Sequence, residues 1–113
     1  MMAEQRAKNI KISTDFSRFP GGRFLSDGKF SGERFRDDFL APALKGGSVV
    51  LDMDGPLGYG SSFLEEAFGG LVRECGFDKQ WLESHLILKS MDPGLLSDVR
   101  TYISEAADVK NSK

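Results

Sequence analysis

The chain has 113 residues, 40% hydrophobic and 28% charged, with a formal net charge of −2. That length suits one domain around a single core, since two cores would each be too small to bury enough surface. The composition excludes a wholly disordered chain, and the charge excludes general affinity for nucleic acid. No apolar run is long enough to cross a bilayer. The single cysteine, Cys75, excludes an intrachain disulfide and a cysteine metal cluster. The N-terminus lacks the apolar core of a leader, so a cytoplasmic setting is expected. The charge is uneven: residues 1–45 carry nine Lys/Arg against six Asp/Glu, and residues 46–113 carry six against eleven. Such asymmetry suits an oriented partner.

Taken in chain order, residues 1–7 are polar and expected to fray, as are residues 109–113. Lys8 to Ser13 alternates polar and apolar side chains, which predicts a strand with one wet face. Phe24-Leu25-Ser26 and Lys29-Phe30-Ser31 flank Asp27-Gly28, a pattern for an antiparallel hairpin. Ser31 can cap a helix with Phe35, Phe39 and Leu40 on one face. Pro42 should kink or restart that helix near Ala41, and Gly46-Gly47 should end it.

Ser48 to Asp54 reads as the central strand, buried through Val49, Val50 and Leu51. A helix follows from about Ser61 to Cys75, with Phe63, Leu64, Ala67, Phe68, Leu71, Val72 and Cys75 at helical spacing. Gly69-Gly70 within it costs about 1 kcal/mol per glycine relative to alanine. Close backbone packing against a neighbour is the usual compensation. Asp78 can cap a short turn, His85 to Lys89 forms a further strand, and Asp92-Pro93 starts a final helix. The expected fold is therefore α/β, with a mixed sheet of four to five strands, an antiparallel N-terminal hairpin and parallel later strands.

The junction from strand to helix carries the chemistry. Function in open α/β sheets collects outside the carboxyl ends of strands, and helix N-termini present unpaired N–H groups. Ser61 and Ser62 are simplest as helix caps; the sharper alternative is a phosphorylatable position. Glu65 and Glu66, one turn on, would make a phosphate there less comfortable. Gly58-Tyr59-Gly60 starts like a dinucleotide fingerprint, but Phe63 replaces its third glycine and no lysine follows to make a P-loop. Asp52 and Asp54 sit two apart, where carboxylates can bind Mg²⁺, work as acid and base, or cap the next loop. No third acid or histidine completes a metal set. Ser62 lacks a nucleophile elbow, so a triad with His85 is not assembled. The Phe- and Arg-rich region from Phe16 to Arg36 mixes basic and aromatic residues but is diluted by five acids, and reads as a hairpin packed on the core.

The segments Phe19-Pro20-Gly21-Gly22-Arg23, Ser31-Gly32-Glu33, Pro42-Ala43-Leu44 and, above all, Gly58-Tyr59-Gly60-Ser61-Ser62-Phe63-Leu64-Glu65-Glu66-Ala67-Phe68-Gly69-Gly70-Leu71 resemble a bacterial STAS-like family of unknown function. The likeness spans residues 8–107, read as one domain. More distantly, the strand and its serine-opened helix resemble STAS domains of anti-sigma-factor antagonists. That resemblance implies a non-enzymatic regulatory domain; the residues themselves lead us to expect no cofactor, metal, membrane or nucleic-acid role, and a monomer or weak dimer. It implies a histidine-kinase-type ATPase as protein partner, Ser62 as the phosphorylated position and Ser61 as its neighbour. The antagonists carry Asp and Gly where Gly60 and Phe63 flank these serines. The partner surface would include Asp52, Asp54, Gly58, Tyr59, Gly60, Phe63 and Glu65. Small-molecule, nucleotide or anion binding at the same helix N-terminus is the alternative.

Overall fold

The computed structural model describes residues 7–111. Three strands, β1 (Lys8–Lys11), β2 (Val49–Asp52) and β3 (Leu86–Lys89), form one sheet in the order β1-β2-β3. Both pairings are parallel, with Ile10 beside Leu51 and Leu51 beside Leu88. Helix α1 covers residues 32–45 between β1 and β2. Helices α2 (residues 61–73) and α3 (Lys79–His85) lie between β2 and β3, and α4 (Pro93–Asn111) closes the fold.

The expected alternation of strand and helix is present, but among the described residues the sheet has three strands rather than four or five, and none is antiparallel. The missing hairpin has a local cause. The Asp27 carboxylate accepts the backbone N–H groups of Arg23 and Phe24 at 3.1 and 2.8 Å. That closes residues 23–27 into a turn around the 3₁₀ segment Leu25–Asp27, so Phe24–Ser26 cannot extend as a strand. Phe19, Phe24, Leu25 and Phe30 are consequently exposed instead of packed on the core. At the other end, α4 runs through Asn111, past the expected fraying point at residue 109; residues 1–6 and 112–113 lie outside the described residues.

Among the described residues, one sheet face is covered and the other is open. Ile10, Val49, Leu51 and Leu86 are buried under the helices, whereas Asn9, Lys11, Ile87 and Lys89 face solvent. Parallel sheets are normally covered on both faces. Here Val50 and Asp52 are left only half-buried on the open face.

The helix signals are realised with one refinement. Ser31 Oγ accepts the Arg34 N–H at 3.2 Å and caps α1, and the carboxylate of Asp78 accepts the Trp81 N–H at 3.1 Å to cap α3. Pro42 does not break α1. The preceding turn, Arg36–Leu40, widens to π geometry, and the Ala41 N–H reaches the carbonyl of Arg36. The wider turn absorbs the crowding a proline ring imposes on the turn before it. Gly76, at φ +78, lets the chain reverse after α2 so that the Phe77 N–H returns to the Leu71 carbonyl at 2.9 Å.

Of the two glycines predicted to pack closely, Gly70 does so against α1, whereas Gly69 lies beneath the Glu65 and Arg73 side chains of its own helix; Gly32 of α1 packs closely as well. A Cβ on Gly32 would stand 2.5 Å from the Phe63 carbonyl oxygen, and one on Gly70 would collide with the Arg36 guanidinium. The two helices therefore touch backbone to backbone. Across the contact, Arg36 Nη1 donates to Glu66 Oε2 at 2.6 Å and to the Glu66 carbonyl at 3.1 Å. Both side chains are buried, Arg36 at 4% and Glu66 at 5% exposure. Arg73 donates to Glu65 at 2.7 Å and to Glu66 at 3.3 Å, and Arg23 donates to the same two carboxylates. Arg23 thereby ties the loop of residues 17–31 onto α2. Around the crossing, Phe16, Phe35, Phe39 and Phe63 pack ring against ring.

Two outcomes follow from this crossing. Gly32→Ala forces a methyl into a backbone carbonyl that cannot swing away, and urea unfolding is expected to show a loss of about 1–3 kcal/mol. Gly58→Ala, with nothing within 4 Å of its Cβ, is expected to fall within about 0.5 kcal/mol of the parent. The second concerns acid. Burial pushes the Glu65 carboxyl up, but hydrogen bonds from Arg73 and Arg23 outweigh it and hold Glu65 below the usual range. A carboxyl depressed on folding contributes stability above its unfolded value of about 4.3 and loses it as pH falls through the folded value. Glu65→Gln is therefore expected to cost up to about 1 kcal/mol at pH 7 and to flatten the loss of stability below about pH 4.3, read from urea midpoints across pH.

Candidate functional site

Strand β2 ends at Asp52, and the chain leaves its carboxyl edge through residues 53–60 to enter α2. Gly55, at φ +119, makes that exit possible, because a Cβ there would strike the Ser13 side chain at 2.5 Å. Asp52 and Asp54 do not act as a pair. Asp52 Oδ1 accepts the Asp54 N–H at 2.9 Å, and its other oxygen meets Lys11 Nζ at 3.3 Å on the open sheet face. The backbone hydrogen bond and the lysine hold the Asp52 carboxyl below its usual range. Asp54 turns towards the loop after β3. Its Oδ1 accepts from Ser90 Oγ at 2.8 Å, and its Oδ2 accepts the Met91 N–H at 3.1 Å. Asp54 thus staples the loop after β2 to the loop after β3.

Other bonds fix the same rim. Tyr59 Oη donates to the Met53 carbonyl at 2.7 Å, and burial pushes the phenol well above its usual range. Ser90 Oγ accepts the Asp92 N–H at 3.0 Å. Asp92 Oδ1 in turn accepts the N–H groups of Gly94 and Leu95 at 3.0 and 3.2 Å, as expected for the cap of α4. Two large apolar side chains on these loops stand in water: Leu57 is 95% exposed and Met91 92%.

Neither serine is a cap. Gly60 is the N-cap of α2 and its carbonyl accepts the Leu64 N–H at 3.1 Å. Ser61 and Ser62 are the first two helical residues, both exposed, and neither hydroxyl has a hydrogen-bond partner among the described residues. Phe63 is fully buried beneath them. Glu65 and Glu66 are not free to repel a charge at Ser62, because Arg23, Arg36 and Arg73 already engage both.

A hollow of about 360 Å³ opens between residues 53–59 and the start of α4, lined among others by Met53, Asp54, Leu57, Tyr59, Asp92 and Asp98. No lysine or arginine lines it, and Ser61 and Ser62 stand outside it. Carboxylates facing a cavity oppose an anion by like charge. Arg23 is engaged by Glu65 and Glu66. A larger hollow, about 690 Å³, lies away from the rim along β1, against Phe39, Pro42 and Ala43.

His85 ends α3 rather than opening β3; its ring stacks on Trp81 at 3.9 Å and its Nδ1 lies 2.8 Å from the Trp81 carbonyl oxygen. Cys75 is half-buried after α2, where burial pushes its thiol up. Among the described residues, no group of three His, Cys, Asp or Glu side chains is placed to hold a metal ion, and no helix is long and apolar enough to cross a membrane. Leu57, Met91, Arg36 and Arg73 were not visible as site residues in the sequence. A single apolar residue in a Gly/Pro turn has no periodicity to mark it, and the arginines act through contacts distant in the chain.

Comparison with known proteins gives one match. Residues 31–95, more than half of the chain, match a STAS-like domain of unknown function (DUF4325). No curated protein and no solved structure gives a significant match. The matched span starts at the Ser31 cap and ends inside α4, so it contains the glycine crossing, both glutamates of α2, the exposed serines and the stapled rim. With its α/β architecture and this span, the chain belongs to the STAS-like family of unknown function.

Proposed function

We propose that the chain is a non-enzymatic regulatory protein-interaction domain whose partner-facing surface is the Gly55–Glu66 junction, with Ser62 as a regulated hydroxyl. One observation carries this reading: Ser61 and Ser62 stand exposed at the start of α2 without capping it and without a hydrogen-bond partner among the described residues. A hydroxyl with no structural duty can be modified without cost to the fold. A phosphate on Ser62 meets the positive end of α2, and the arginines have neutralised the carboxylates one turn away. It adds a charge of about −1.5 to −2 to the exposed start of α2, and burying that charge in an apolar interface is unfavourable. Modification would therefore release a partner. The distant likeness to anti-sigma-factor antagonists makes a histidine-kinase-type ATPase the partner and modifying enzyme of choice. His85 is engaged with Trp81, which supports a non-catalytic reading of Ser62. The acidic lining of the neighbouring hollow favours this reading over nucleotide or anion binding.

Co-expression with the histidine-kinase-type ATPase encoded nearest its gene, followed by intact-mass analysis, tests the proposal. One phosphate is expected on the parent and on Ser61→Ala, and none on Ser62→Ala. Ser62→Glu is expected to weaken the complex about tenfold by titration calorimetry. An unmodified parent together with undiminished binding of Ser62→Glu refutes the regulated hydroxyl.

A further inference from the structure

Ser62 stands three and four residues before Glu65 and Glu66 on α2. The Glu65 N–H reaches back to the carbonyls of Ser61 and Ser62, so the helical spacing holds through this turn. Residues three and four apart share a helix face, with Cβ atoms about 5–6 Å from one another. The exposed Ser62 hydroxyl therefore lies on the same stripe of α2 as the two carboxylates. Arg23 reaches that stripe from the loop of residues 17–31, its Nη1 donating to Glu65 and, at 3.2 Å, to Glu66. Its guanidinium thus stands over the turn next to Ser62.

The three arginines of this network differ in what holds them. Glu65 also takes Arg73 at 2.7 Å, and Glu66 also takes Arg36 at 2.6 Å and Arg73 at 3.3 Å. Each carboxylate therefore keeps an arginine when Arg23 leaves. Arg36 is buried and bound as well to the Glu66 carbonyl and to Asp37, so turning it would strip several bonds at once. Arg73 approaches the carboxylates from the far end of α2, away from Ser62. The Arg23 side chain is 32% exposed, and its backbone is fixed by other bonds: its N–H donates to Asp27, and its carbonyl accepts the Glu33 N–H at 3.0 Å. It can turn without opening the loop.

We propose, resting on the reading of Ser62 as a regulated hydroxyl, that Arg23 is the receptor for a phosphate on Ser62. Its side chain turns from Glu65 and Glu66 to the phosphate one turn away, and Arg36 and Arg73 keep the carboxylates. A guanidinium pairs two N–H groups with phosphate oxygens, and a phosphate carries about −1.5 to −2 against the single charge of a carboxylate, so the exchange favours the phosphate. Arg23 is a positioning residue in this scheme: through it, modification binds the loop of residues 17–31 to the start of α2.

The full chain with phosphoserine encoded at position 62, followed by phosphorus NMR across pH, tests the receptor without any kinase. The phosphate faces Glu65 and Glu66 of its own helix and the guanidinium of Arg23, with Arg36 and Arg73 behind the carboxylates. A cation at contact favours the doubly charged form, so the phosphate of the parent is expected to titrate at least about half a unit below that of Arg23→Gln. Arg23→Lys is expected to restore part of the difference, because lysine keeps the charge without the paired donors. In the parent the Arg23 Nε–H signal, which needs no variant, is expected to shift on phosphorylation. Equal midpoints in parent and Arg23→Gln, or an unmoved Arg23 signal, would overturn the proposal and leave the regulated hydroxyl standing. Absence of phosphate after co-expression with the ATPase rejects that hydroxyl instead, by a separate measurement.

Discussion

The contact between α1 and α2 is the constraint on which the rest of the molecule depends. Gly32 lies against the Phe63 carbonyl, and Gly70 lies against the Arg36 guanidinium. Side chains at these places would push the helices apart and separate Arg36 from Glu66. A buried charge whose partner is withdrawn costs about 3–5 kcal/mol, so the pair and the glycines require one another. Gly70 in α2, unfavourable for an isolated helix, leaves the room that Arg36 occupies in this packing. The same crossing sets the Phe16, Phe35, Phe39 and Phe63 cluster that covers one sheet face.

From that crossing the functional rim follows by short steps. Phe63 is held at the contact, so the two residues before it, Ser61 and Ser62, are presented at a fixed place on the surface. Glu65 and Glu66 are drawn into the arginine network, so the start of α2 keeps its positive end without opposing carboxylates. Parallel pairing of β2 with β3 brings both carboxyl ends to one side, and Asp54 binds the two following loops together. Close packing thus lies below, and exposed, hydrogen-bonded loops lie above it at the carboxyl end of the sheet.

Much of the fold was legible in local pattern. Ser31, Asp78 and Asp92 cap helices as their sequence positions imply, and the Gly69-Gly70 pair signalled a close neighbour before that neighbour was known. Pro42 announced a disturbance in α1 that takes the form of a widened turn. The hairpin failed because Asp27 offers its carboxylate to Arg23 and Phe24, a bond that competes with strand pairing and that an Asp-Gly signature does not distinguish. The serine caps failed for a related reason: Gly60 has the extended conformation of an N-cap, which moves both hydroxyls one step into the helix. Asp52 and Asp54 looked like a pair by strand alternation, but the strand ends at Asp52 and Asp54 turns away. The rim's apolar residues and the arginine network depend on contacts far apart in sequence, which no local pattern encodes.

The stapled rim, and not the open sheet face or the aromatic loop, is the surface proposed to receive the partner. Hydrogen exchange of the full chain, free and saturated with the histidine-kinase-type ATPase, reads that directly. Slower exchange is predicted in residues 53–62 and 90–95, with residues 17–30 and the β1 and β2 amides unchanged. Protection confined to the sheet's open face around Asn9, Val50 and Ile87, or to the loop bearing Phe19 and Phe24, would contradict it.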